Sequence, residues 1–589
     1  MKNDYIVKKT YYSFVISAIL TSLTATVGIL IDNIIVGQYL GAAALGAMGI
    51  VGPVTLIFSA IGNLCSGGAT RAARALGKGK MQDVNIIFST NVFFVLGVGL
   101  IITVAGILLT PQLANFLGAK EALYEPTKSY LYGYFLGAIP TIMLSAMMAF
   151  IRIDGSPKLP FVCMMVMTGC NILLDLAMVQ VFHQGMFGMA LATTISYYFA
   201  IITACTHFLK KTSSLKLVRP QKFFSELVKT ALTGMPTAIS RISDTVKITI
   251  LNHLMVTFVS VSAVTSLNVR MQANNFIYSV IIGIAQASSP IISMFYGEED
   301  KNTIRDTLVV TLKLGFLTSI CLAAVFLSVP GIFSQLLGVA DPEILKMTNV
   351  SLRYFALGLP LAVINSILMS FYQSTKRVAL STAICILQSF VFTVSLAVVL
   401  IHMMGSTGVW LAFLLGEILT LLTTSAYIFL QNKKISVSTE SIMMFEENFG
   451  GSSKDRLEFS IGNSIDEVLR ISSNIYKFAE NRDIDTRMIN ILALTIEEIA
   501  GNVVKHSFTP EQKRWLDMTI LDKDDRVTVC LRDNGKAFDV VVFAAAHQDE
   551  QNHLGIRLIY GLAEEFTYRR AMGLNHIEIH FMKKNQIRS

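Results

Sequence analysis

Three polar residues interrupt stretches that otherwise read as hydrocarbon-soluble. Asp32 lies in the first long apolar run, and Asn171 and Asp175 lie one helical turn apart in the fifth. Carboxylates at membrane depth are costly and are usually kept for function. Two that share a site repel, and can carry a proton or hold Na⁺ through oxygen ligands. The plainer alternative is a structural hydrogen bond to a neighbouring helix. A second set, Arg241, Asp244 and Lys247, is spaced three apart and so falls roughly on one helical face. Either Asp244 and another acid such as Glu417 neutralise the two cations, or the cations line a cavity and favour an anionic or zwitterionic compound. A third set is C-terminal. Glu498 and Asn502 share a helical face, and such a pair can position a water or hydroxyl and hold Mg²⁺ bridging phosphates. An exposed acidic helix has the same pattern. Asp533 and Gly535 follow a strand. An Asp there can accept from an exocyclic amine and a Gly lets the backbone pass close to a ring, although Asp-Asn-Gly is also a common turn.

The elements that position these residues differ sharply on the two sides of residue 433. The chain of 589 residues is 53% hydrophobic and only 15% charged, against roughly a quarter charged in soluble domains. About twelve apolar runs of bilayer length precede residue 433, the first at 12–38 and the last at 407–430. The first run follows Lys8-Lys9, has no A-x-A site and is too long for a cleaved signal, so it is expected to span. Basic residues crowd alternate connections: Lys8 and Lys9, Arg71 to Lys80, Arg152 and Lys158, Lys210 to Lys222, Lys376 and Arg377. That places both termini in the cytoplasm of a multi-pass protein of the cytoplasmic membrane. It also accounts for the net charge of +8 without a nucleic-acid partner. The seven cysteines form no CxxC pair and read as buried thiols.

The apolar half repeats. Pro140 and Pro360 are 220 apart, and the same offset relates Gly77 to Gly297, Gly185 to Gly405 and Gly188 to Gly408. An even number of helices per half makes this a parallel six-plus-six repeat, of the kind that rocks around a central cavity. The acidic set is not repeated: the counterparts of Asp32, Asn171 and Asp175 are Asn252, Val391 and Ser395.

Residues 10–432 resemble the multidrug and toxic compound extrusion (MATE) family. The resemblance rests on Ile31-Asp32-Asn33-Ile34-Ile35-Val36-Gly37, on Arg152-Ile153-Asp154-Gly155-Ser156-Pro157-Lys158, and on Asn171-x-x-x-Asp175 followed by Gly185-x-x-Gly188-x-Ala190-x-Ala192-Thr193. It implies an N-lobe cation site of Asp32, Asn171 and Asp175, assisted by Thr193 or, one register on, Thr194. It also implies exchange of H⁺ or Na⁺ for small organic, often cationic, compounds. Arg241 and Lys247 depart from the acidic or neutral C-lobe of many members.

Beyond a polar linker at 434–453 the pattern becomes that of a small α/β domain, 454–589. A strand ends at Ile461, and a helix capped by Asn463 or Ser464 follows. A longer helix runs over 486–506, two strands over 514–522 and 526–532, and a helix over 555–564. A hairpin then turns at Met572-Gly573-Leu574-Asn575. Glu498 to Asn502, and Asp533 to Gly535, resemble the N and G1 boxes of the GHKL ATPase superfamily, closest to the anti-sigma-factor serine kinases. The resemblance implies an ATP and Mg²⁺ site. Asp533 would contact adenine, Asn502 would hold Mg²⁺, Glu498 would be the general base, and Gly555 would open a helix toward the phosphates. A second glycine expected just before it is replaced by Asn552-His553.

The sequence therefore predicts a polytopic α-helical protein with lobes 1–215 and 216–433, carrying a C-terminal GHKL sandwich. Its expected activity is cation-coupled antiport by alternating access. The tail regulates transport or phosphorylates an anti-anti-sigma-like partner. With no GxxxxGK[ST] loop, ATP is not expected to power the cycle. Two rivals remain: a receptor-kinase whose membrane half binds without turnover, and an exporter of a lipid-linked or anionic precursor.

Overall fold

The computed structural model describes residues 5–210, 213–331, 334, 341–432, 438–446, 449–450, 455–462, 467–468, 471, 475–477, 485–508, 515–522, 525–546 and 554–583. The helix expected after Asn463 or Ser464 falls largely outside these residues, and Asn552-His553 falls wholly outside them.

With no water to satisfy backbone amides in hydrocarbon, the apolar runs have to be helical. The N-lobe comprises α1 (Tyr5–Tyr39), α2 (Ala42–Gly77), α3 (Met81–Phe116), α4 (Tyr124–Phe135), α5 (Ala138–Ile153), α6 (Leu159–Leu176) and α7 (Gly185–Cys205). The C-lobe comprises α8 (Phe223–Phe258), α9 (Val261–Gly297), α10 (Lys301–Ser328), α11 (Pro342–Ser374), α12 (Val378–Ile386), α13 (Phe392–Met404) and α14 (Ser406–Asn432). Among the described residues, ten helices are long and apolar enough to cross a membrane, or eleven if the bent pair around α4 and α5 is one span. The 36-residue α8 is as long but carries Arg241, Asp244 and Lys247, and is not among them.

The repeat is visible in the backbone. Gly185 and Gly405 open equivalent helices with φ of 55° and 57°, a region that favours glycine. The fourth span differs between lobes: α4 and α5 bend by 53°, whereas α11 runs on through Pro360. Gly77 and Gly297, at the ends of α2 and α9, bring the lobes into backbone contact. A Cβ on Gly77 would lie 2.0 Å from Met294 O, and one on Gly297 would lie 2.2 Å from Arg74 O. The bundle is thus closed at this end. A cavity of about 260 Å³ lies between the lobes, bordered by Asn63, Arg241, Tyr278, Gln286 and Gln373.

The segment expected as a polar linker is more than a spacer. Thr439–Met443 form a short helix, α15, capped by the Ser438 hydroxyl. Met443 and Met444 are buried, and Phe445 and Phe449 pack on Tyr296. Sparse aromatic residues, rather than its average polarity, decide where it lies.

The tail is an antiparallel five-stranded sheet of β1 (Arg456–Ile461), β2 (Leu516–Asp522), β3 (Arg526–Asp533), β4 (Glu565–Ala571) and β5 (Leu574–Met582), ordered β1-β2-β3-β5-β4. Alternation gives it two faces. Phe459, Met518, Val529 and Ile579 pack with α16 (Thr486–Asn502) and α18 (Leu554–Leu562), while Asp517, Arg532, His576 and Arg569 form one register row on the other face. A further helix, α17 (Val540–Ala546), was not anticipated. The hairpin turn is shorter than its sequence indicates. Met572 and Gly573, at φ 54° and 79°, turn the chain alone, and Leu574 and Asn575 are already strand.

Gly155, at φ 86°, packs on this turn, where an added Cβ would lie 3.0 Å from Gly573 N. Gly155→Ala is therefore expected to cost about 1–2 kcal/mol from the left-handed backbone alone. The added Cβ also crowds the Gly573 turn, and that contact should lower the tail's unfolding midpoint, read by the fluorescence of Trp515. An unchanged midpoint would show that the two turns do not bear on each other.

Candidate functional site

In the N-lobe, α1 and α6 bring Asp32, Asn171 and Asp175 together. Asn171 Nδ2 donates to Asp175 Oδ2 at 3.0 Å, and the Asp32 carboxyl neighbours that of Asp175. Two carboxylates are acceptors only, so a direct bond between them takes a proton, or a cation in its place. Asp175 is fully buried, and Oδ1 of each aspartate receives no donor from the described residues. Such orphaned acceptors are uncommon. Thr193 donates to Met189 O at 3.1 Å within its own helix, and Thr194 donates to Gly133 O at 2.9 Å, tying α7 to α4. Neither hydroxyl is seen on the carboxylates. The groups near Asp32 that sequence reasoning missed are Tyr130 of α4 and Tyr197 of α7. A signal existed for the second, since Tyr197 is one turn from Thr193 on the same face.

In the C-lobe, a cavity of about 230 Å³ is bordered by Arg241, Asp244, Lys247, Arg270, Phe413 and Glu417. Lys247 Nζ donates to Asp244 Oδ1 at 2.8 Å, so the pair is joined as one sequence reading has it while still lining the cavity as the other has it. Glu417 instead accepts from two neutral amides, Asn365 Nδ2 at 2.9 Å and Gln388 Nε2 at 3.0 Å. Arg270 was not anticipated, although an arginine inside the eighth apolar run was there to be read. It is 4% exposed, and its guanidinium lies 3.6 Å from the centre of the Phe413 ring with Nε unpartnered. Among the described residues Arg241 and Arg270 make no ion pair within 4 Å.

In the tail, Asp533 closes β3 with its carboxylate buried. Oδ1 accepts from Ser507 Oγ at 2.7 Å, from Gly535 N at 2.7 Å and from Asn575 Nδ2 at 2.9 Å. Burial lifts this carboxyl above the ordinary range, opposed by those donors. Gly535 is required: an added Cβ would sit 2.0 Å from Ser507 Oγ. At α16, Asn502 Nδ2 donates to Glu498 O at 2.6 Å. Gly555, in the first turn of α18, lies so close to Glu498 that an added Cβ would be 2.2 Å from its Cδ. Glu498 and Gly555 therefore meet at a helix N-terminus, where phosphate oxygens are favoured. His506, one turn after Asn502, stacks on Phe538 at 5.1 Å. These residues fit a nucleotide: an acceptor beside a glycine cradle, and a carboxylate and amide one turn apart near a helix start. Ser507 and Asn575, which hold Asp533, were not foreseen.

A bundle of two repeated lobes with in-membrane charges in each, joined to a sandwich with this pocket, defines a membrane transporter fold with an ATPase-type tail. The MatE family model matches residues 17–177 and 236–399, and the chain belongs to that family. The histidine kinase-like ATPase domain model matches residues 464–581. The multidrug export protein MepA of Staphylococcus aureus (strain MRSA252) is 25% identical over 409 residues, covering 68% of this chain and 88% of its own length. The MepA protein of Staphylococcus saprophyticus is 26% identical over 408 residues, with the same coverage. Among solved structures, an outward-facing multidrug resistance MATE family transporter of the MOP superfamily superposes with a TM-score of 0.67 at 21% identity, covering 71% of this chain and 94% of that one. A MOP superfamily transporter from Pyrococcus furiosus, described as having a binding pocket of reverse polarity, gives 0.66 at 20% identity, covering 71% and 94%. These two share the fold.

Proposed function

We propose that this chain exports small organic compounds across the cytoplasmic membrane by exchanging them for a cation, H⁺ or Na⁺, and that its tail regulates the exchange. The carrying observation is the fully buried Asp175 with Asn171 donating to it and Asp32 as its neighbour, a pair of acids that supports reversible uptake of a proton or cation. The exporter class follows the MepA proteins, which are described as multidrug export proteins. Lobes 1–215 and 216–433 rock about the central cavity, with the termini in the cytoplasm as the loop charges require. The test is dye efflux from liposomes holding the full chain, under an imposed pH or Na⁺ gradient. Flux that follows one gradient identifies the ion, and flux indifferent to both rejects the proposal.

In the tail, Asp533 would hold the adenine amine, Asn502 the Mg²⁺, and Glu498 would accept a proton from the attacking hydroxyl or water. Bound ATP supplies the transferable phosphoryl group. Gly535 and Gly555 keep the cradle open.

A second reading concerns substrate class. Two guanidiniums without carboxylate partners among the described residues, Arg241 and Arg270, border a cavity in which Lys247 is already neutralised. A carboxylate or phosphate on an amphipathic compound would complete them, with Phe413 against its apolar body. Arg270→Gln is then expected to cut export of an anionic dye such as carboxyfluorescein roughly tenfold, the scale of one charge-assisted hydrogen bond of about 1.5–3 kcal/mol. Export of ethidium should persist. Equal loss of both dyes would mark Arg270 as structural.

A further inference from the structure

The polar face of the tail sheet is not left to solvent. One row across it, Asp517, Arg532, His576 and Arg569, lies over the turn between α9 and α10. Glu298 of that turn accepts from Arg532 at 2.6 Å and Arg569 at 2.9 Å, and lies 3.2 Å from His576 Nδ1. Asp300 accepts from Arg456 at 2.7 Å and lies 3.5 Å from Arg532. The Arg532 guanidinium also covers the Phe295 ring at 4.4 Å. These charges are buried. The neighbouring guanidiniums hold the Glu298 carboxyl well below the ordinary range, while burial takes His576 down to about 4.

All of those partners belong to the C-lobe, but the same strands also hold the N-lobe. The same Arg569 nitrogen that reaches Glu298, Nη2, also donates to Gly77 O, at the end of α2, at 3.0 Å, while Nη1 donates to Glu578 Oε2 at 2.9 Å within the sheet. Met572 N donates to Ile153 O at 3.1 Å, and Gly573 seats on Gly155. A single guanidinium therefore joins Gly77 to Glu298, beside the glycine pair where α2 and α9 touch. The bundle has its own tie there, from Arg71 to Glu226 at 2.5 Å; the tail adds a second from outside.

We propose that the tail is a clamp across the two lobes: its sheet face docks on both at the end carrying the termini, and must leave at least one of them before the transporter can open on that side. This rests on the alternating-access reading above. The clamp also adjoins the nucleotide pocket. Arg532 and His576 are paired in one row, and Asp533 and Asn575 are paired in the next. Successive residues point to opposite faces, so one pair grips the transporter while the other holds the nucleotide site. A nucleotide that shifts these strand ends changes the grip, and by linkage the open transporter changes nucleotide affinity by the same factor.

Hydrogen–deuterium exchange on the full chain in detergent tests this without needing transport. Glu298→Ala is expected to raise uptake several-fold at three separated places at once: 295–301, 74–80 and 151–158. Arg569→Ala, made from the tail side, should reproduce the pattern if the first variant folds poorly. Uptake that rises only around 298 in both variants would overturn the clamp, since the tail would then be a tether on one lobe. Mg²⁺ with a non-hydrolysable ATP analogue should change uptake at the same three places in the parent and not in Asp533→Asn. Binding by calorimetry with no such change would overturn the nucleotide link. If export fails in every assay while these exchange patterns hold, the transport reading and the gating role fall, and only the docking of the tail on both lobes stands.

Discussion

Asp175→Asn is expected to abolish gradient-driven efflux while the bundle stays folded. The substitution is isosteric, and its amide oxygen can still accept from Asn171, which now donates to Asp175 at 3.0 Å. What it removes is the ability to pick up and release a cation. A coupling free energy of about 1–3 kcal/mol between cation and compound corresponds to roughly 5–150-fold in the equilibrium, all of which is lost when the carrier cannot change charge. Uphill export should therefore fall to the leak, whereas compound binding should change little. Asp32→Asn should do the same. Because the two carboxyls are neighbours, the double variant should be no worse than either alone, a non-additivity expected of groups acting as a unit. The measurement is efflux from liposomes holding parent or variant, with binding measured beside it. Retained uphill flux in Asp175→Asn would move the coupling site elsewhere and leave the pair as a structural hydrogen bond.

What could be read from sequence was whatever contradicts its local surroundings. A carboxylate in an apolar run is conspicuous, so Asp32 and Asp175 stood out, and Asn171 followed from helical spacing. The repeat was legible through Pro140 and Pro360, because helix-breaking residues cannot drift as leucines do. Tyr130 and Tyr197 were not legible, since aromatic residues are ordinary in membrane helices and only the meeting of α4 and α7 with α1 gives them a role. Asn365 and Gln388, which hold Glu417, are neutral amides in polar-tolerant helices and carry no signal until α11, α12 and α14 pack. In the tail, the strands and the Glu498 and Asp533 motifs followed from alternation and spacing. Asn575 reads as turn in the sequence because Met-Gly-Leu-Asn looks like one, yet two positive-φ residues suffice and the strand begins earlier. The clamp was least visible. Arg532 lies far in sequence from the hairpin that carries Arg569 and His576, and their opposite number Glu298 lies in a turn whose charge reads as mere solvation. Only strand register brings them into a row.

Asp533→Asn should remove ATP binding from the tail. The carboxylate is buried and Oδ1 already receives three donors, from Ser507, Gly535 and Asn575. The second oxygen is what remains to accept the exocyclic amine of adenine. Turning the new amide one way sets an NH₂ against those three donors. Turning it the other way sets NH₂ against the adenine amine. Either choice leaves a buried donor facing donors, at a cost of about 1–3 kcal/mol for each unsatisfied group. Affinity is therefore expected to fall by ten- to several-hundred-fold, a factor of ten for every ~1.4 kcal/mol. Asn502→Ala should behave differently. It removes the amide expected to hold Mg²⁺ but none of the adenine contacts, so binding should lose its dependence on Mg²⁺ rather than vanish. Calorimetry on the full chain, with and without Mg²⁺, separates the two. Loss in Asp533→Asn with a Mg²⁺-specific defect in Asn502→Ala would place adenine and phosphate at opposite ends of one pocket. Undiminished binding in Asp533→Asn would mean that nucleotide enters by another route, and that the buried carboxylate serves only to fasten β3 to Ser507 and Asn575.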